Sequence, residues 1–385
     1  MPCKEESPES KRLMEDAAET TTTRESTATS EPDSKRRRIE RSDPEPDFVL
    51  DVDGDLSLCV GAARVSQPTT FLVCSKSISR SSPVMKQMIL GEPTETLSIQ
   101  DDRTNRTIHL PDDEPVPMRL MLEVIHGDFR HVPQKMEIQA LHALVVVMHK
   151  YDALSLVRPW VRAWLASART SGDYARLFSI TWALGDVAFF STTSSRLIEY
   201  SHINPQHKLV SKEHLSLRRT RGPVIAEETA PLIPASMIGK IEIERVQRIS
   251  AEVAPYIKLY EELKRGNCEC RSATPNFRKS MSPRCRVLAL GSLVQGFLDL
   301  GINITNPNPT SAYKGSLISL MCGINSLEIL TDRNCGIYNH DECARMQETL
   351  KFKRALGRSF KPLTDIVPGC REHLASQAEK TGLSA

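Results

Sequence analysis

From Phe48 onward apolar and polar residues alternate. In Phe48-Val49-Leu50-Asp51-Val52-Asp53-Gly54-Asp55-Leu56-Ser57-Leu58-Cys59-Val60-Gly61, apolar residues fall at 50, 52, 56, 58 and 60. A period of two places them on one side of a pleated backbone, so this stretch predicts a half-buried strand that turns at Gly61. Thr70-Phe71-Leu72-Val73-Cys74 predicts a second strand, joined to the first as a hairpin across a polar connection. The period then changes. Ile78, Met85, Met88 and Ile89 recur at spacings that fit one buried helical face, with Ser75 or Ser77 as the cap of the incoming helix. Ser82-Pro83 inside that span predicts two short helices, because proline loses nothing at the first position of a helix. Arg106-Thr107-Ile108-His109-Leu110 predicts a third short strand ended by Pro111.

Helical spacing dominates from Val116 onward. Val116 to His126 presents Met118, Leu122 and Ile125 on one side, and Lys135 to Tyr151 repeats Met136, Ile138, Leu141, Leu144, Val145 and Met148. A third helix, Leu154 to Ala168, carries Leu156, Val157, Trp160, Val161, Trp164 and Leu165. Hairpin, helix, strand and a run of helices describe an α+β domain at residues 47–167, a short β-sheet capped by helices. Beyond it the pattern is mostly α-helical. Asp173 to Ile203, interrupted around Gly185, has apolar residues at Leu177, Phe178, Ile180, Trp182, Leu184, Phe189 and Phe190. Ser236 to Arg265 repeats Ile238, Ile241, Val246, Ile249, Val253, Ile257, Tyr260 and Leu263 and closes on Gly266, with Pro255 predicting a kink or a division. Val287 to Leu300, ended by Gly301, and Ser316 to Leu330 predict two more helices. These elements divide the chain into a tail at 1–46, the α+β domain at 47–167, a helical region at 168–265 and a helical C-terminal region with scattered cysteines at 266–385.

Composition changes the picture at the tail. Residues 1–46 are rich in Ser, Thr, Glu, Lys, Arg and Pro and nearly empty of aliphatics, so they predict a disordered segment. Within it Lys35-Arg36-Arg37-Arg38-Ile39-Glu40-Arg41 is a compact basic run that fits the acidic groove of a nuclear import receptor and equally a solvated charge block. No groove-reading element comes after it, so direct nucleic-acid binding is not expected. Over all 385 residues, 50 Lys and Arg stand against 48 Asp and Glu, and a net charge of +2 gives no whole-protein field toward nucleic acid or an anionic membrane. The opening MPCKEESPESKRLMED has no apolar stretch that could act as a signal peptide, and the ten cysteines are scattered singly. A reducing compartment, nucleus or cytoplasm, with free thiols is expected. No apolar run approaches the ~20 residues that cross a bilayer, so no membrane partner is expected.

Few residues carry candidate chemistry. Cys74 precedes a helix start, which lowers a thiol pKa, yet it sits in an alternating strand without a Gly neighbour, and a half-buried inert thiol fits better than a nucleophile. No Gly-x-Ser-x-Gly turn surrounds the serines of 75–82, which read as caps and turns. Asp112, Asp113 and Glu114 lie between Pro111 and Pro115 and read as a solvated turn. Trp160, Trp164 and Trp182 read as packing residues. Cys268, Cys270, Cys335, His340 and Cys343 have zinc-favoured side chains, but their spacing matches no paired knuckle, and loop thiols are the other reading. No catalytic residue, no cofactor site and no metal site are assigned.

An ordered set of residues resembles the BTB/POZ domain in its fungal form. The set runs from Asp53-Gly54-Asp55-Leu56-Ser57-Leu58-Cys59-Val60-Gly61 through Phe71-Leu72-Val73-Cys74-Ser75-Lys76, Ser81-Ser82-Pro83-Val84-Met85 and Ile108-His109-Leu110-Pro111-Asp112-Asp113 to His149-Lys150-Tyr151-Asp152. The resemblance implies a fold for protein–protein interaction, with no enzymatic activity. It implies homodimers or heterodimers, and as partners a cullin-type ubiquitin-ligase scaffold or a transcriptional regulator. By the same resemblance, dimerisation uses the first strand and the Ser77 to Ile89 helices, burying Ile78, Met85, Met88 and Ile89. The face of helices 116–126 and 135–151 is the other place for a partner.

Overall fold

A computed structural model describes residues 45–91, 97–98, 106–211, 223–266, 269–271, 278–280, 283–331 and 362–383. The chain is mixed α+β and mostly helical. Strands β1 (Phe48–Val49), β2 (Leu56–Val60), β3 (Thr69–Val73), β4 (Leu97–Ser98) and β5 (Arg106–Leu110) form one sheet in the order β1-β3-β2-β5-β4. β2 and β3 are the expected antiparallel hairpin, with Leu58 opposite Phe71, and β5 runs parallel to β2, with Leu58 opposite Ile108.

The single strand expected over 48–61 is instead two. The Asp53 N–H donates to the Asp51 carboxylate (3.0 Å) and the Gly54 N–H to the Asp51 carbonyl (3.1 Å), closing a turn between them. Aspartate and glycine favour such a turn over a ladder. β1 therefore pairs parallel with β3 on the side away from β2, and Val52, inward by alternation, is 89% exposed.

Helices α1 (Ser75–Ser81) and α2 (Pro83–Leu90) come after β3, with Pro83 opening α2 and the Ser82 Oγ accepting from the Met85 N–H at 3.0 Å. Neither Ser75 nor Ser77 caps α1. Cys74 holds that position, and Ser75 gives both its N–H and its hydroxyl to Asp55. Next come α3 (Pro115–Ile125), α4 (Ile138–Lys150), a 3-10 turn at Leu154–Val157 and α5 (Val161–Ala168). The expected helix over 154–168 divides at Pro159, which has no N–H to continue the ladder, although Arg158 before it keeps helical backbone.

α6 (Tyr174–Leu184) and α7 (Val187–Tyr200) turn at Gly185, which has φ +83, and a side chain there would collide with the backbone of Ala378. After them stand β6 (His202–Ile203), β7 (Leu209–Val210), α8 (Ile225–Thr229) and α9 (Ala235–Arg265). β8 (Glu269–Arg271), β9 (Arg278–Ser280), α10 (Pro283–Asp299), α11 (Leu317–Ser326), α12 (Leu363–Ile366) and α13 (Cys370–Thr381) complete the order. α9 is continuous through Pro255. The carbonyl of Ala251, which loses its partner there, belongs to an exposed residue, while Val253 and Tyr256 on the opposite side are buried.

Three apolar clusters hold residues 46–385 as one compact unit. The first joins the sheet to α1–α5 and continues through Leu177, Ile180 and Leu184 of α6, so its packing crosses the 167/168 division expected from the pattern. The second joins the C-terminal half of α9 to α10 and α11, crossing 265/266, and the third joins α6 and α7 to the start of α9 and to α13.

Candidate interaction site

The residues that carry the resemblance lie at the joints between elements. Asp113, in the turn after β5, is 5% exposed and not solvated as expected, although Asp112 and Glu114 beside it are exposed. Its carboxylate accepts from Lys150 Nζ at 2.7 and 2.8 Å and from the Tyr151 hydroxyl at 2.6 Å. A buried carboxylate requires such partners, and here they come from the last turn of α4. Burial and the bond to Asp113 both push the Tyr151 phenol upward, keeping it a donor. The Tyr151 carbonyl accepts from Ser82 Oγ at 2.6 Å, which ties the α1–α2 corner to the same helix end.

Asp55 forms a second joint. Burial pushes its carboxyl up, and the Ser75 side-chain and backbone bonds more than offset this, leaving it below the usual value. Cys74 forms a third: its N–H donates to His126 Nε2 at 3.0 Å, and His126 Nδ1 lies 2.8 Å from the Leu122 carbonyl. The Ser77 N–H and hydroxyl hold the Cys74 thiol below its usual pKa, while His126 is engaged through the Cys74 main chain. Cys74 is thus the cap residue of α1 and not a residue within the strand.

The four residues expected at a dimer interface are placed differently. Ile78, Met85 and Ile89 are buried in the chain's own core, where with Leu56, Leu58, Ile108 and Leu110 they close the helix–sheet layer. Met88 is half-buried against the same cluster. The apolar spacing correctly marks burial, but the partner is this chain's sheet. α4 packs between α3 and α6, while Val116 of α3 stays 82% exposed.

What the domain leaves open is a sheet edge. β1 ends the strand order, and among the described residues no strand lies beyond it. The Leu50 N–H donates to the Leu72 carbonyl, so Val49, adjacent and 53% exposed, directs its own N–H and C=O to the open side. The strand is held firmly: Phe48 stacks on Phe71 at 5.5 Å, Arg119 lies 4.2 Å over the Phe48 ring, and Asp47 accepts from the Thr70 N–H at 2.7 Å. Val52 adds apolar surface just past the strand.

The basic run at Lys35, Arg36, Arg37, Arg38 and Arg41 lies outside the described residues, as do Cys268, Cys335, His340 and Cys343, while Cys270 lies in β8 opposite Lys279. Among the described residues no group of three or more His, Cys, Asp or Glu is placed to hold a metal, and no helix is long and apolar enough to cross a membrane. No family model, curated protein or solved structure matches the chain.

Proposed function

We propose that the protein is a non-enzymatic interaction protein that associates, through a BTB/POZ-like domain at 47–167, with a second copy of itself. One observation supports the reading. The motifs that carry the resemblance fall in order on β2, on β3 and its exit, on the α1–α2 corner, on β5 and its turn, and on the end of α4, and hydrogen bonds between them lock one domain whose β1 edge stays open. An open edge presents unpaired N–H and C=O groups to which another strand can add. Association through β1 needs no rearrangement of Ile78, Met85 or Ile89.

The test is the mass of the intact chain by light scattering, compared with a Val49→Pro variant. Proline is tolerated in an edge strand where its N–H would face outward, and it blocks a further strand. The wild type is expected at twice 43.0 kDa and the variant at 43.0 kDa. A wild type that stays at 43.0 kDa up to ~100 µM, or a dimer indifferent to Val49→Pro, contradicts the proposal.

A further inference from the structure

A groove of about 550 Å³ lies where α5, the α6–α7 turn and α13 meet. Leu165, Gly185 and Ala378 form its buried floor, and the exposed Val187, Ala188 and Ala375 form its sides. The volume lies within the range of ligand and anchor sites, roughly 300–1,000 Å³. Two features of its walls narrow the occupant.

The first is charge. Arg162 and Arg169 line the groove with a single carboxylate, Asp186, and that carboxylate is taken by Arg169 at 2.6 Å. Arg162 makes one hydrogen bond, to the Gly382 carbonyl at 3.2 Å, and Arg158, one turn earlier, makes one to the Glu379 carbonyl at 3.1 Å. Each guanidinium has five donors, and among the described residues neither meets a carboxylate. The wall is therefore positively charged, with unused donors suited to anions. The second feature is relief. α13 offers alanines to the groove, Ala375 and Ala378, which permit close approach by another main chain, and Arg162 and Arg169 are seven residues apart, about two helical turns.

We infer that this groove docks an acidic amphipathic helix of a partner protein, an apolar side chain on Leu165 and Ala378 and carboxylates on Arg162 of its wall and on Arg158, which stands outside the lining. Anchors at helical spacing in an apolar groove, flanked by charge pairs, are an established mode of peptide capture. The inference uses no residue of β1 and stands apart from self-association.

The test is selection of a random phage-displayed peptide library on the intact chain, with counter-selection on an Ala375→Trp variant that fills the groove from an exposed position. Enriched peptides are expected to pair Asp or Glu with Leu, Ile or Phe at three- and four-residue spacings. A synthetic copy of the leading peptide, monitored by fluorescence anisotropy, should lose about tenfold or more in affinity on Ala375→Trp and separately on Arg162→Glu. Replacing its acidic residues by lysine should restore binding to Arg162→Glu, and added salt should weaken binding to the wild type. Circular dichroism establishes that each variant is folded, and if one is not, the other carries the test. Enrichment of basic or uncharged peptides, absence of any peptide that depends on Ala375 or Arg162, or equal binding of the acidic and lysine forms to the wild type overturns the inference.

Discussion

Residues 47–167 and the helices beyond them differ in where they bury charge. In the first region buried polar groups sit at the ends of elements: Asp113 after β5, Ser82 between α1 and α2, Tyr151 at the end of α4. In the second, Asp173, Ser201 and Thr381 also sit at element ends, but four charged residues sit in the middle of one helix. Glu244, Arg245, Arg248 and Glu252 of α9 are buried, and Arg245, 2% exposed, donates to the carbonyls of Ser201, Tyr313 and Gly315. Burial pulls both guanidiniums below their usual pKa. Here α9 is inverted, with Ile243 and Val246 exposed while its charges face inward. The charged stretch lies between the apolar cluster around Ile241 and the one around Ile249, so α9 joins two cores through a polar seam. Both reach across the chain: the joints link residues 37 to 69 apart and the seam residues 44 to 70 apart.

The largest expected effect tests the first region's core. Met85→Asp places an unpaired charge between the sheet and α2 and should cost about 5 kcal/mol or abolish folding, read as loss of the cooperative denaturant transition. A variant as stable as the wild type would mean that the α2–sheet layer is not core. Arg245→Ala removes donors from the buried carbonyls of Ser201 and Tyr313 and the half-buried carbonyl of Gly315, and should lower stability by about 4 kcal/mol. Asp113→Ala leaves the Tyr151 hydroxyl buried without its acceptor and should cost about 3 kcal/mol. Because residues 46–385 pack as one unit, each of these two variants should shift a single transition, and two separable transitions would show instead that the regions unfold independently.

A smaller effect is expected from pH. Burial, with Arg176 nearby and partly offset by Asp173, lowers His142 of α4 from 6.5 to about 4, and burial also lowers His149 of α4 and His373 of α13. Below 6.5 the unfolded chain binds protons that the folded chain refuses, so stability is full above 6.5 and falls as pH drops toward 4. For His142 the loss is ~2 kcal/mol, and His142→Gln should flatten the midpoint-versus-pH curve over that window. An unchanged curve would remove burial of His142 from the account.

The contrast also explains what was legible in the sequence. β2, β3, α2 and the turn at Gly185 arise from local period, a proline at a helix start and a glycine with positive φ. The break at Asp51–Gly54 was hidden because Leu50 and Val52 keep the alternation through the turn. α13 was hidden because CREHLASQAEKT is mostly polar, with buried residues only at Cys370, Leu374, Ala378 and Thr381. In α9, Val246 fits an apolar stripe and Arg245 a solvated face, and only carbonyls supplied from afar reverse them. At the candidate site, spacing marks Ile78, Met85 and Ile89 for burial but carries no information on whether the covering surface belongs to this chain or another. Asp113 could have been marked by its place between Pro111 and Pro115 together with Lys150-Tyr151, a pairing visible only once β5 and α4 are neighbours.

Amide hydrogen exchange of the intact chain, at concentrations below and above self-association, addresses the open edge most directly. Protection is predicted to rise at the Val49 amide in the associated state, and in Val49→Pro, which has no amide at that position, the neighbouring Phe48 and Leu50 amides should exchange equally at both concentrations. Protection that rises elsewhere while the β1 segment exchanges equally at both concentrations would contradict association through this edge.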